Sequence, residues 1–499
     1  MDNVQQKDTI MKAVLIMYDS LNKRYLPPYG NNKVVCPNFT RLAQCCNTYD
    51  NFYAGSLPCI PARREIHTGR YNFLHRSWSP GEPFDESMPE LLSQAGIYTH
   101  LITDHCHYWE NGGLNYNTRF TTHEYIRGQE GDAWAGTAKD FTGNKYGKRQ
   151  DSFNRLLEAE EKDHSHVRCF EKGRQFLYDN KDNDNWFLQL EYFDPHEPFF
   201  APDRFKKLYT DSPNQVDWPE YRVYTEAEQD MVDSFQTNYS AVVSMCDEYL
   251  GKILDVFDEL DLWKDTLLII NTDHGFMLGE KGFVGKNYMP VFDDIANLPF
   301  FMYVPGEEKG KRRKSLCQTI DIAPTLLDWF GMQKGKHMLG KSLLETNKND
   351  RSVHECILYG YFGMHVNITD GKYTYHRCAK TKDNTPLFQY TLEPAHIKKF
   401  MSKEEIKQAD MHLHDEFTWT DHVPVMKIPV DERYDRKKYY TYSNHAKYGD
   451  LLFDRVNDPE QLTPLHDEQI EQHFTAKMVS LMKENEAPEE QYVRLGLQK

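Results

Sequence analysis

Along this chain, apolar residues gather into short, nearly continuous runs, each closed by a cluster of polar side chains. The first, Lys12 to Tyr18, shows no alternation and so predicts a parallel strand buried on both faces; it stops at Asp19-Ser20. Tyr98 to Thr103 is a second such run and stops at Asp104-His105-Cys106-His107. A third, Trp186 to Tyr192, stops at Asp194-Pro195-His196-Glu197-Pro198, and a fourth, Thr266 to Ile270, leads through Asn271-Thr272 into Asp273-His274-Gly275. Pro299 to Val304 is a fifth. Helical stretches intervene at Met88 to Ala95, within Ser152 to Asn180, and over Glu226 to Leu260, the last with clear 3.6-residue periodicity. Strands alternating with helices predict an α/β fold: a mostly parallel central sheet with helices on both faces. In open α/β sheets the site lies beyond the carboxyl ends of the strands. Four segments far apart in sequence are therefore expected to bring their Asp and His residues together.

The pattern changes after the helix that begins near Asp321-Ile322-Ala323-Pro324-Thr325. Asn347 to Arg351 reads as a polar linker, and Glu355 to Tyr361, His365 to Thr369 and Lys372 to Arg377 read as short antiparallel strands. Helices at Lys398 to Asp410 and Asp467 to Glu484 complete a smaller α+β region. The expected division is an N-terminal extension over 1–11, a large α/β domain over 12–346 and a C-terminal α+β subdomain over 347–499. A chain of 499 residues is too long for one compact core, which agrees.

Composition narrows the function classes. With 39 % apolar and 13 % aromatic residues the chain is globular. A formal charge of −17 disfavours nonspecific nucleic-acid binding, and any anionic substrate has to be drawn in by a local positive site. Ten cysteines without the spacing of a disulfide framework or zinc module read as reduced thiols. The polar stretch Met1 to Ile10 and the brief apolar run behind it resemble neither a signal peptide nor a membrane span, so a cytoplasmic location without membrane association is expected.

The chemistry centres on Leu57-Pro58-Cys59-Ile60-Pro61-Ala62-Arg63, continuing to Thr68-Gly69-Arg70. Pro61 and Ala62 suit a first helical turn, which sets Cys59 at an amide-rich helix N-terminus with Arg63 one turn on. Such a place stabilises a negatively charged nucleophile or a bound anion. Asp19, Asp273 and His274 are candidate metal ligands, although an aspartate at a strand end is also a common cap or turn residue. His105 and His107 stand two residues apart and point to one side of an extended chain. Between Trp109 and Trp134, Tyr116, Arg119, Arg127, Gln129, Glu130 and Asp132 form either a sugar-binding surface or ordinary loop packing.

The Cys-x-Pro-x-Arg segment with its Thr-Gly-Arg continuation resembles the signature of the formylglycine-dependent sulfatases of the alkaline phosphatase superfamily. The Asp-His-Gly triplet, the Pro-His-x-Pro-Phe element at His196 and the Asp-Ile-Ala-Pro-Thr-Leu-Leu helix extend the resemblance over residues 12 to 345. It implies an alkaline-phosphatase-like α/β/α sandwich and hydrolysis of a sulfate monoester on a small sulfated carbohydrate. It implies that a maturation enzyme oxidises Cys59 to Cα-formylglycine, whose hydrated aldehyde attacks sulfur. It places one divalent cation on Asp19, Asp273, His274 and the modified Cys59. Oxygen-rich ligands favour Ca²⁺, the imidazole keeps Mn²⁺ open, and Mg²⁺ also suits the set. By the same resemblance Arg63 and Lys286 stabilise the sulfate oxygens, His196 protonates the leaving alcohol, and His107 is the base that expels sulfate. A glycine-flanked lysine such as Lys286 is otherwise an ordinary surface residue. The family has Lys where this chain has His105, so a sulfate-binding role there requires a charged imidazole. Ser20 replaces a second acidic residue at the first ligand position. Two rivals follow: a phosphonate monoester or phosphodiester hydrolase on the same scaffold, and a non-catalytic binding paralogue that keeps Cys59 as a thiol.

Overall fold

The computed structural model describes residues 11–139, 149–213, 216–415, 417–430 and 445–499. The expected extension over Met1 to Ile10 therefore lies outside the described residues. Lys12–Tyr18 pairs in parallel with Trp186–Tyr192 on one side and Thr266–Thr272 on the other, and Tyr98–Thr103 adds in parallel beyond Trp186–Tyr192. These four adjacent strands form the middle of an eight-stranded sheet. Their carboxyl ends, and the polar clusters that follow, lie along one edge. The fifth expected strand is shorter, Phe301–Tyr303, and runs antiparallel to Thr266–Thr272. An apolar run alone does not encode direction, because parallel and antiparallel central strands are equally buried.

Period-two geometry divides the core between the two faces of the sheet. Val14, Ile16 and Tyr18 pack with residues of the helices Pro37–Cys45, Ser165–Asn180 and Gln229–Glu259. Ala13, Leu15 and Met17 pack on the other side with residues of Cys59–Thr68, Met88–Gln94 and Ile322–Trp329. The result is the α/β/α sandwich read from the sequence.

The later part of the chain forms a second sheet. Ile357–Tyr361, Val366–Thr369, Tyr373–Arg377 and Leu451–Asp454 are joined by Ser56–Leu57, the two residues that lead into Pro58-Cys59. Ser56–Leu57 lies parallel to Gly360 and Tyr361. Two expectations need correction here. The stretch expected as a linker is largely helical, Leu344–Asn349. Lys398 to Asp410 is not one helix: a hairpin of Ala395–His396 and Lys399–Phe400 precedes the shorter helix Lys403–Gln408, whose start is fixed by a capping box at Ser402 and Glu405.

Candidate active site

Cys59 is the first residue of the helix Cys59–Thr68, which ends in a left-handed Gly69 whose N–H donates to Glu65 O. Every residue of that helix is buried. Its Cys59 Sγ lies 3.2 Å from His274 Nε2. His274 Nδ1 is 2.9 Å from the Gly275 carbonyl, so the ring proton sits on Nδ1 and Nε2 presents its lone pair to Cys59. One ligand atom each from Asp19, Cys59, Asp273 and His274 can be chosen so that all lie within 4.8 Å of one another, and all four residues are buried.

Arg63 projects from the next turn into the same space, fully buried, and binds three carboxylates. Its Nε donates to Glu191 Oε1 at 2.6 Å, its Nη1 to Asp273 Oδ2 at 2.7 Å, and its Nη2 lies 3.0 Å from Asp19 Oδ2. Lys286 donates from Nζ to Ser20 Oγ at 3.1 Å and sits 3.8 Å from Asp19 Oδ1. Ser20 Oγ in turn donates to Asp19 Oδ1 at 2.7 Å, and the Ser20 N–H to Asp273 Oδ1 at 3.0 Å. Ser20 holds these contacts with φ at 64°, a left-handed conformation uncommon for serine.

The titrations follow from this geometry. Burial pushes the Asp273 carboxyl up, and the neighbouring Asp19 charge adds to the push. Asp19 goes the other way: against burial, Lys286, His196 and Arg63 hold it well below the usual carboxylate range. Two adjacent buried carboxylates thus resist ionising together. Burial, then the Asp19 charge, raises the Cys59 thiol well above its ordinary value, so as a thiol it stays protonated at neutral pH. His274 is lowered to about 3, by burial first and Lys286 second.

A cleft of about 320 Å³ opens onto Cys59 and is walled by His107, His196, Lys286, Trp78 and Tyr221 among others. His107 Nδ1 is 2.8 Å from Glu110 Oε2, which leaves Nε2 without a proton; burial, then Lys398, lowers its titration. His196 Nδ1 bonds the Glu197 carbonyl and its titration is also lowered, by burial and then Lys286. Glu197 Oε2 lies 3.3 Å from His196 Nδ1 and 3.9 Å from Lys286 Nζ, while Oε1 accepts from Tyr221 Oη.

The structure therefore brings together Asp19, Cys59, Arg63, Asp273, His274 and Lys286, with His107 and His196 on the adjoining wall. His105 is placed differently. It is fully buried, stacks on Phe193 at 5.2 Å, and is not among the residues that wall the cleft. Burial, then Arg63, drives its titration far down, so the imidazole is neutral and supplies no charge to an anion. Of the residues between Trp109 and Trp134, only Glu130 reaches the cleft. Arg127 and Trp109 both bind Asp132, Arg119 binds Glu90, and Tyr116 Oη donates to Ser79 O, which is loop packing. Glu191 is not singled out from the sequence, although it carries a signal: an acid inside a mostly apolar strand needs a buried cation. Trp78, Trp218, Tyr221 and Lys398 line the cleft without any local signal.

The donor set suits a divalent cation. Two carboxylates and an imidazole lone pair converge, and the burial and neighbouring Asp19 charge that push the Asp273 carboxyl up are what a bound cation offsets. No described helix is long and apolar enough to cross a membrane.

Comparison with known proteins identifies the family. The sulfatase family model matches residues 12–332, and the model for the C-terminal part of N-sulphoglucosamine sulphohydrolase matches residues 279–423. Choline-sulfatase of Rhizobium meliloti (strain 1021) is 25 % identical over 428 residues, covering 77 % of this chain and 81 % of the relative. A solved structure described as a complex with its substrate D-glucosamine-2-N,6-O-disulfate superposes with a TM-score of 0.65 at 15 % identity, covering 96 % of this chain and 99 % of the other. The phosphonate monoester hydrolase of Agrobacterium radiobacter superposes with a TM-score of 0.64 at 16 % identity, covering 95 % and 96 %. This chain belongs to the sulfatase family of the alkaline phosphatase superfamily and is a sulfuric ester hydrolase.

Proposed function

We propose that the chain hydrolyses a sulfate monoester of a small sulfated carbohydrate, with a Cα-formylglycine at Cys59 and a divalent cation, Ca²⁺ foremost, on Asp19, Asp273, His274 and the oxidised Cys59 side chain. The observation that carries this reading is the convergence of those four ligand atoms within 4.8 Å beside a buried Arg63 and Lys286. The Cys59 Sγ marks the place of the oxidised side chain's oxygens. Because the thiol is held protonated there, an unmodified Cys59 is a poor nucleophile, which favours the aldehyde hydrate. When bound, the cation supplies a Lewis acid for a sulfate oxygen, and the hydrate supplies the attacking hydroxyl.

The remaining work falls to the chain's own groups. Arg63 fixes the carboxylates of Asp19, Asp273 and Glu191 in register. Lys286, close to Asp19 and Glu197, offers an ammonium to the ester's oxygens in a site preorganised for charge. His196 gives a proton from Nε2 to the leaving oxygen; the negative ester beside it offsets the burial and the Lys286 charge that disfavour its protonation. His107, with a bare Nε2 on the cleft wall, accepts a proton as sulfate is released.

Ser20 favours a second reading, hydrolysis of phosphonate monoesters or phosphodiesters. A hydroxyl where a second acid is expected leaves less negative charge around the ester, and Lys286 is bonded to that hydroxyl. Assaying an aryl sulfate, a phenylphosphonate monoester and a phosphodiester side by side decides between the two; sulfate is expected to be preferred. Intact-mass measurement of the purified chain is expected to show a loss of about 18 Da at Cys59 when thiol becomes aldehyde. Cys59→Ala is expected to lower turnover by about three orders of magnitude or more while leaving the melting temperature nearly unchanged. Near-wild-type turnover in that variant would overturn the proposal.

A further inference from the structure

Among the described residues that wall the cleft, Lys398 is the one contributed by the C-terminal part of the chain. It sits in the hairpin of Ala395–His396 and Lys399–Phe400, which is pinned firmly in place. The adjacent Ile397 is fully buried in an apolar cluster with Cys59, Ile60, Trp78, Tyr108 and Tyr116. Its carbonyl accepts from Gly112 N at 2.9 Å, and Arg76 Nη2 donates to Ala395 O at 2.7 Å. The hairpin thereby holds a half-buried ammonium 5.9 Å from the Trp78 ring, and Trp78 stands edge-to-face with His107 at 5.2 Å. Lys286 sits deeper, bonded to Ser20 Oγ, where the ester is expected. Two cations thus serve one small cleft, and only one of them belongs to the scissile group. Glu130 faces the same space, 3.9 Å from His107 Nε2.

We propose that Lys398 reads a second anionic group of the substrate, a carboxylate or further sulfate on a sugar ring resting against Trp78. This inference rests on the sulfatase reading above and deepens it. A fixed ammonium beside an aromatic face suits a sugar ring with a charged substituent: the ring packs on the indole, and the anion pairs with the ammonium.

The test measures competition against turnover of 4-nitrophenyl sulfate by three sugars with one ester and one ring: glucosamine 6-sulfate as the free amine, the N-acetyl derivative and the N-sulfo derivative. They place positive, zero and negative charge at the same position. A second pair, glucose 2-sulfate and glucuronate 2-sulfate, makes the comparison for a carboxylate and separates the two sources of charge. The wild-type chain is expected to bind an N-sulfo or uronate member about tenfold more tightly than its neutral counterpart. Lys398→Met is expected to remove that preference, and Lys398→Arg to retain it. If neither charged member is preferred, or if Lys398→Met weakens charged and neutral members by the same factor, the role of Lys398 is overturned while the sulfatase reading stands. If no sulfate ester is turned over at all, the sulfatase reading itself fails.

Discussion

At the scale of single residues, the site is a problem of protons as much as of position. His107 and His196 both lie in the cleft wall with titrations lowered by burial, and the proposed mechanism gives them different work. The bond from His107 Nδ1 to Glu110 fixes a bare Nε2, the form a base needs. In the proposed mechanism His196 becomes an acid only when the ester arrives. Its loss should therefore matter most where the leaving alcohol is poorest. His196→Ala is expected to slow alkyl and sugar sulfates by about 10²–10⁴ and an activated aryl sulfate far less. Equal losses across a leaving-group series would remove the acid role.

At the scale of elements, the helix Cys59–Thr68 is held at its base by Glu65, which accepts from the Ser56 N–H and from Thr319 Oγ1. A side chain at Gly55 would collide with that carboxylate, so this glycine is required for close approach. Burial raises Glu65 to about 8. The folded chain then holds a proton that the unfolded chain has lost above about pH 4.5. The stabilisation is complete below that pH and disappears as pH rises through 8, with a slope on the order of 1 kcal/mol per unit. Glu65→Gln does not titrate, so the stability of wild type relative to this variant is expected to decline from about pH 5 to 8 in chemical unfolding experiments. A constant difference over that range would show Glu65 to be ionised in the fold.

The same elements show what could be read in advance. Lys12–Tyr18, Tyr98–Thr103 and Trp186–Tyr192 have the bounds expected from the sequence, because a strand buried on both faces is a nearly continuous apolar run. The site was legible for a related reason: Asp and His directly after such runs gather at one edge of the sheet. His105 shares that sequence position with His107 and does not share its exposure to the cleft, since which of two nearby rings turns inward depends on packing against Phe193. Lys398 was read as part of a helix. Its hairpin is fixed by contacts to Arg76 and Gly112, hundreds of residues away, and no local pattern records them.

At the scale of the whole molecule, the two sheets are not separable. Ser56–Leu57 pairs with Gly360 and Tyr361, and Tyr361 Oη donates to the Lys286 carbonyl. One C-terminal strand therefore supports both the approach to Cys59 and the loop that carries Lys286. A chain ending at residue 346 is expected to show no cooperative thermal transition by circular dichroism, whereas the full chain melts as one unit; a sharp melt of the shortened chain would contradict this.

Cys59 is 1 % exposed and lies within the first turn of a helix whose every residue is buried. A processing enzyme that has to grip this stretch as an extended peptide cannot find it on the finished protein. If Cys59 is converted as proposed, the conversion falls in the interval between synthesis and folding, and the yield of active enzyme in a given host becomes a race between the two. On that proposal, cooler expression or a larger supply of an oxidising enzyme is expected to raise the active fraction without altering a single contact described above.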